Sequence, residues 1–148
     1  MIELSVNQCK QLALPLITLT MGEEVGAKAE LEFSSSDVSD LWALFDKSQL
    51  IAICGLGGHI SEKKVWLGYF AVHPKYRRGG LGRYCLNCIE TIAKARGYKW
   101  ILVETYEHPI FENAIDLYKK CDYKEIGYIA DYLDDDSDAL YLRKNIGD

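Results

Sequence analysis

The chain has 148 residues, of which 49% are hydrophobic and 26% charged, and its formal charge at pH 7 is −5. That length supports a single domain with a real core, and the composition is that of an ordinary folded protein. The negative balance argues against a general nucleic-acid binder, no apolar run reaches bilayer-spanning length, and residues 1–5 carry no basic leader or cleavage signal, so a cytoplasmic protein with no membrane partner is expected.

Taken in order, Ile2-Glu3-Leu4-Ser5-Val6 alternates as a short strand. A helical pattern over residues 8–29 is interrupted at Pro15 and Gly22. Ser36-Asp37-Val38-Ser39-Asp40 offers N-cap residues for a helix carrying Leu41, Trp42, Leu44 and Phe45. Residues 50–56 form a buried-strand run ended by Gly57-Gly58, and residues 65–72 are a second strand, rich in aromatic and β-branched side chains. From Leu81, apolar residues recur at Cys85, Cys88, Ile89, Ile92 and Ala93, the spacing of one helix face, with Gly97 as the stop. A strand over 100–105, a helix over 111–120 and two antiparallel strands, 125–132 and 140–143, complete the chain. The order β-α-β-β-α-β-α-β-β implies an α/β (α+β layered) fold with a mixed sheet.

Five cysteines, Cys9, Cys54, Cys85, Cys88 and Cys121, are an odd number spread through strand and helix patterns, which suits reduced, buried thiols. Cys85 and Cys88 have CxxC spacing, but no second Cys or His pair completes a zinc site, and both fall on the apolar helix face. His59, His73 and His108 suggest neither a metal site nor a nucleophile triad. No metal is expected.

Between the strand over 65–72 and the helix from Leu81 lies His73-Pro74-Lys75-Tyr76-Arg77-Arg78-Gly79-Gly80. The glycines Gly79, Gly80 and Gly82 let backbone N–H groups converge at the positive end of the helix dipole, which makes an anion site suited to a diphosphate. A Walker loop would need Gly-Lys-Ser/Thr and a dinucleotide fold would need GxGxxG; neither order is present. Charge is divided accordingly. Residues 72–99 hold seven cations and one anion, a balance of +6, whereas residues 130–148 hold six aspartates and two cations, a balance of −4. A basic centre with an acidic tail suits a polyanionic cofactor and a cationic substrate.

The order Arg77-x-x-Gly80-x-Gly82 behind the "VHPKY" strand end resembles the acyl-CoA loop of the GNAT N-acetyltransferase superfamily. The resemblance runs from about residue 50 onward. It implies one domain, with residues 1–49 as the acceptor-side part and 50–148 as the acetyl-CoA-binding core, built on a mostly antiparallel sheet flanked by helices. It further implies that Phe70, Ala71 and Val72 pair with the pantetheine arm. The backbone of Arg77, Arg78, Gly79, Gly80, Leu81 and Gly82, with Arg83 beside it, would hold the pyrophosphate. The helix Phe111-Glu112-Asn113-Ala114-Ile115-Asp116-Leu117-Tyr118 resembles the family's "N-x-x-A-x-x-L-Y" segment. Phe111 stands where the family has its cofactor-binding asparagine, Asn113 lies two residues later, and Asp122 stands where glycine is usual.

Acetyl transfer to a primary amine, which stays protonated up to about pH 10, needs a base, an oxyanion donor and an acid for the departing sulfur. The resemblance makes Glu104 the base and Tyr118 the acid, with a backbone amide near Val72 as a donor worth roughly 3 kcal/mol. The acceptor would be a small-molecule or protein amine, most simply cationic, and C-terminal strands could pair two copies into a homodimer. A CoA-binding sensor without catalysis is the alternative.

Overall fold

Leu41-Trp42-Ala43-Leu44-Phe45 is a strand, not the expected helix. A short apolar run fits either element, and pairing decided between them. Lys47 takes a positive φ of 55° in the tight turn that folds β2 (Asp40–Asp46) back on β3 (Gln49–Ser61). Their register runs from Asp40↔Leu56 to Asp46↔Gln49, and β1 (Ile2–Glu3) pairs with the other edge of β2. The computed structural model describes residues 1–5, 8–34 and 40–147, with His59 described by its backbone alone. The proposed N-caps at residues 36–39, and Val6 of the proposed first strand, lie outside the described residues. The chain divides into two compact units, Met1–Gly57 with Gly68–Ile89, and Gly58–Leu67 with Glu90–Asp148.

The first unit joins β1, β2 and the start of β3 to two helices. A π-helical turn, Cys9–Ala13, runs into α1 (Leu14–Met21), and α2 (Glu23–Ser34) follows. Pro15 does not end the helix; it stands at the start of α1, where the π-helical turn passes into α-helix with Ala13 and Leu14 both in right-handed helical conformation. Gly22 is the true break, at φ 89°. Leu16 and Ile17 of α1 and Ala29 and Phe33 of α2 bury their side chains in one core cluster with Leu41, Ala43, Leu50 and Ile53. The buried Thr20 hydroxyl donates to the Leu16 carbonyl at 2.8 Å, so the helix contributes no orphaned polar group there.

The expected single strand over 65–72 is two strands. β4 (Lys64–Leu67) pairs parallel to β6 (Trp100–Tyr106) as far as Trp66↔Leu102. Gly68 then donates its N–H to the Gly55 carbonyl at 2.7 Å, and β5 (Ala71–Val72) pairs with Ile53 and Ala52 of β3. A Cβ on Gly68 would stand 3.1 Å from the Gly55 backbone, and one on Gly55 would stand 2.7 Å from the Asp40 carbonyl oxygen, so these strands approach as closely as they do because both residues lack side chains. Nor do Gly57 and Gly58 end β3, which continues to Ser61.

In the second unit the strand order is β3-β4-β6-β8-β7, with β7 (Lys124–Ile129) and β8 (Ala139–Asn145) antiparallel as expected. Ile101, Val103, Leu140 and Leu142 alternate into its core. The Lys144 ammonium and the Glu90 carboxylate form an ion pair that is only 22% and 13% exposed, and the Tyr123 hydroxyl also donates to Glu90. α3 (Leu81–Ala95) and α4 (Glu112–Lys120) match the predicted helices, and Gly97 at φ 91° terminates the first of them. The fold is a mixed, mostly antiparallel sheet flanked by helices. No helix among the described residues is long and apolar enough to cross a membrane.

Candidate active site

In the first unit the loop expected to take an anion begins at the end of β5. His73 leaves the strand with its Nδ1 accepting from the Lys75 N–H at 3.2 Å, and Pro74 starts a single 3₁₀ turn through Tyr76. The Tyr76 hydroxyl donates to Asp46 at 2.9 Å, tying that turn to the β2–β3 hairpin; the accepting carboxylate raises the phenol above its ordinary range. Arg77 folds back, its Nε donating to the Val72 carbonyl at 3.2 Å. Arg78 and Gly80 then take left-handed conformations, φ 74° and 77°, and turn the chain into α3.

The first helical bond of α3 runs from Tyr84 N–H to the Gly80 carbonyl. The N–H groups of Leu81, Gly82 and Arg83 precede it and have no acceptor within the helix. A Cβ built on Gly79 or Gly80 would meet nothing within 4 Å, so the approach to those N–H groups is open. Arg77, Arg78 and Arg83 are exposed around it. Open main-chain donors, a helix N-terminus and three guanidinium groups fit a diphosphate. Phe70, Ala71 and Val72 are buried immediately before the loop, and β3 is the one strand that pairs with β5 among the described residues.

Glu104, Asn113 and Tyr118 all belong to the second unit. Glu104 is exposed on β6 and accepts two phenolic hydroxyls, Tyr141 at 2.7 Å on Oε1 and Tyr106 at 3.0 Å on Oε2. Burial raises both phenols, and the neighbouring Glu104 charge and hydrogen bond raise them further. Sequence reading missed these two tyrosines. Tyr106 was open to detection, because residues two apart share a strand face, but Tyr141 enters only through the register that sets it opposite Glu104. Tyr118 is buried in the last turns of α4, its ring 5.7 Å from that of Tyr123. Asn113 is exposed in the first turn of the same helix. Asp122 has φ 70°, the left-handed geometry that glycine adopts at no steric cost.

The cysteines remain free thiols, four of them buried. Burial, reinforced by Cys88, pushes the Cys85 thiol up to about 12, so it packs as a small apolar group and not as a nucleophile.

The family model described as "Acetyltransferase (GNAT) domain" matches residues 37–125, more than half of the chain. The chain belongs to the GNAT acetyltransferase family. A Xenopus tropicalis protein named "Probable N-acetyltransferase 14" is 31% identical over 88 residues, covering 59% of this chain and 42% of that protein. The chain therefore matches less than half the length of that relative. Among solved structures, Ard1 from Thermoplasma volcanium superposes with a TM-score of 0.82 at 16% identity, covering 99% of this chain and 96% of the other. An aminoglycoside 6'-N-acetyltransferase complexed with coenzyme A gives 0.74 at 18% identity, covering 100% and 98%. At these identities the structures establish the GNAT fold.

Proposed function

We propose that the protein is an N-acetyltransferase that moves the acetyl group of acetyl-CoA to a primary amine by direct transfer. The observation that carries this reading is the loop itself: main-chain N–H groups of residues 81–83, unfilled space over Gly79 and Gly80, and three exposed arginines, directly following β5 in a GNAT domain. Acetyl-CoA supplies an activated acyl thioester. The loop backbone from Arg77 to Gly82, with Arg83 beside it, would hold the diphosphate, the N–H groups of residues 81–83 being the open donors, and the backbone of Phe70, Ala71 and Val72 would run along the pantetheine arm. A relative in complex with coenzyme A supports the choice of cofactor.

In this reading Glu104 receives the proton that the acceptor ammonium must lose before its nitrogen can attack. A backbone N–H near Val72 donates to the carbonyl oxygen as negative charge builds on it, the Tyr118 hydroxyl gives its proton to the sulfur as the carbon–sulfur bond breaks, and the second proton shed by the newly bonded nitrogen restores the phenol. Asn113 contributes a further contact to the cofactor. Much of the acceleration comes from holding amine and thioester in line. The free cysteines support a reducing, cytoplasmic setting.

The test is calorimetric titration with acetyl-CoA, followed by thiol release measured across a panel of amines. Binding with release, lost by about a hundredfold in turnover but not in cofactor affinity in Tyr118→Phe, is the expected result. Binding without release for any amine would identify a CoA-binding module instead, and absence of binding at tens of micromolar would end the reading.

A further inference from the structure

The Glu90–Lys144 ion pair takes no part in the loop or in the proposed transfer, yet it is mostly buried and connects α3, β8 and the end of α4 within the second unit. Glu90 lies on α3 and Lys144 on β8, and the Tyr123 hydroxyl donates to the second Glu90 oxygen at 3.4 Å. The Lys144 ammonium also stands 5.6 Å from the centre of the Tyr123 ring. Tyr123 itself is 2% exposed. An ion pair in such a place adds little net stability, because lost hydration offsets most of the attraction; what it can set is geometry.

Tyr118 is the residue that this geometry reaches. α4 ends in a left-handed residue, Asp122, after which the Tyr123 N–H returns to the Tyr118 carbonyl at 3.0 Å. That bond closes the helix and lays the residue after the turn against one inside the last turn. Here both are aromatic: the Tyr118 and Tyr123 rings meet at 5.7 Å with their planes 58° apart. Such a contact is ordinarily apolar on both sides. In this chain one side is anchored, since Glu90 holds the far end of the Tyr123 ring and Lys144 lies beside its face.

We infer that Glu90 and Lys144, acting through Tyr123, are positioning residues that hold the Tyr118 ring in one orientation. A phenol that delivers a proton must keep its oxygen within hydrogen-bond reach of the accepting atom, and a tyrosine side chain turns about its side-chain bonds to do so. Tyr118 is 5% exposed and packs against the anchored ring, so a shift of Tyr123 carries Tyr118 with it. That this orientation serves proton delivery to sulfur rests on the acetyltransferase reading; the hold on the ring does not.

The experiment combines NMR of ring-labelled tyrosine in the full chain with measurement of turnover. All ten tyrosines carry carbon-13 in the ring, and the Tyr118 signals are those lost in Tyr118→Phe. Tyr123→Phe keeps the ring and releases it from Glu90; Glu90→Gln keeps the shape of the acceptor and removes its charge. Both should move the Tyr118 signals with the circular dichroism unchanged, and both should lower kcat for thiol release about threefold with acetyl-CoA affinity unchanged. Tyr123→Leu, which removes the ring, should lower kcat about tenfold or more. Tyr118 signals that stay in place in Tyr123→Phe and Glu90→Gln, or that move while kcat keeps its parent value, would overturn the proposal. A loss of acetyl-CoA affinity equal to the loss in kcat would make the effect a general structural one and overturn it too. A parent that releases no thiol with any amine refutes the acetyltransferase reading, and the Tyr118 signals then decide alone whether its ring is held.

Discussion

The Arg77 Nε donates to the carbonyl of Val72, five residues earlier, at 3.2 Å. The first basic residue of the loop thus spends a donor on closing the loop's own neck, between the end of β5 and the turn into α3. This makes Arg77 a shaping residue as much as a charge. Arg77→Lys keeps the cation but lacks the Nε–H, so we expect it to lose about fivefold in acetyl-CoA affinity, equivalent to one hydrogen bond of about 1 kcal/mol. Arg77→Ala removes the charge as well and should lose several-fold more. Titration calorimetry of both variants checks this; full affinity in Arg77→Lys would assign the effect to charge alone.

Gly79 and Gly80 separate conformation from access. Both have open space where a Cβ would stand, but only Gly80 is held at positive φ, 77°. Gly80→Ala should therefore destabilise the fold by about 1–2 kcal/mol, whereas Gly79→Ala should leave stability within about 0.5 kcal/mol. Both add a methyl group at the approach to the helix N-terminus, so both should weaken acetyl-CoA. Thermal denaturation read beside cofactor titration distinguishes the two effects.

Tyr106 and Tyr141 give the protein an alkaline limit. Burial and the adjacent Glu104 raise both phenols in the folded chain above their unfolded value of about 10. A raised folded value means that the unfolded chain releases these protons first, so their contribution to stability is intact below about pH 10 and declines as the pH climbs beyond it. Tyr141→Phe removes one such group. Urea midpoints measured from neutral pH to about pH 11 should fall less steeply for that variant than for the parent.

Asp122 holds a left-handed conformation, φ 70°, just past the end of α4. Its N–H donates to the Lys119 carbonyl, closing the helix end in the way a glycine commonly does. Asp122→Gly relieves the Cβ strain and should stabilise the chain by up to about 1 kcal/mol, offset in part by unfolded-state entropy. A rise in melting temperature with unchanged acetyl-CoA binding is the expected outcome.

Local pattern carried most of this architecture. α3 was legible because Leu81, Cys85, Ile89 and Ala93 recur at helical spacing and Gly97 supplies a left-handed stop. β2 was not, because Leu41 to Phe45 are apolar at every position and only hydrogen bonds to β1 and β3 choose between helix and strand. The break at residues 68–70 is likewise a matter of partners: the residues from Val65 to Val72 suit a strand except for Gly68, and that glycine alone does not say which neighbour comes next. At the candidate site, the loop and Glu104 stood out from residue types and the family pattern. Tyr141 and Tyr76 acquire their partners from residues 37 and 30 positions away, a separation at which one sequence gives no pairing signal.

The segment from Lys64 to Val72 is hydrogen-bonded to β6 at one end and to β3 at the other. Each pairing by itself fixes which face a side chain takes: a one-residue slip of β5 along β3 would put Ala71 and Val72 out of step with Ile53 and Ala52 and exchange their facing. Within these short pairings, exchange of one side chain for another is far better tolerated than a change of length.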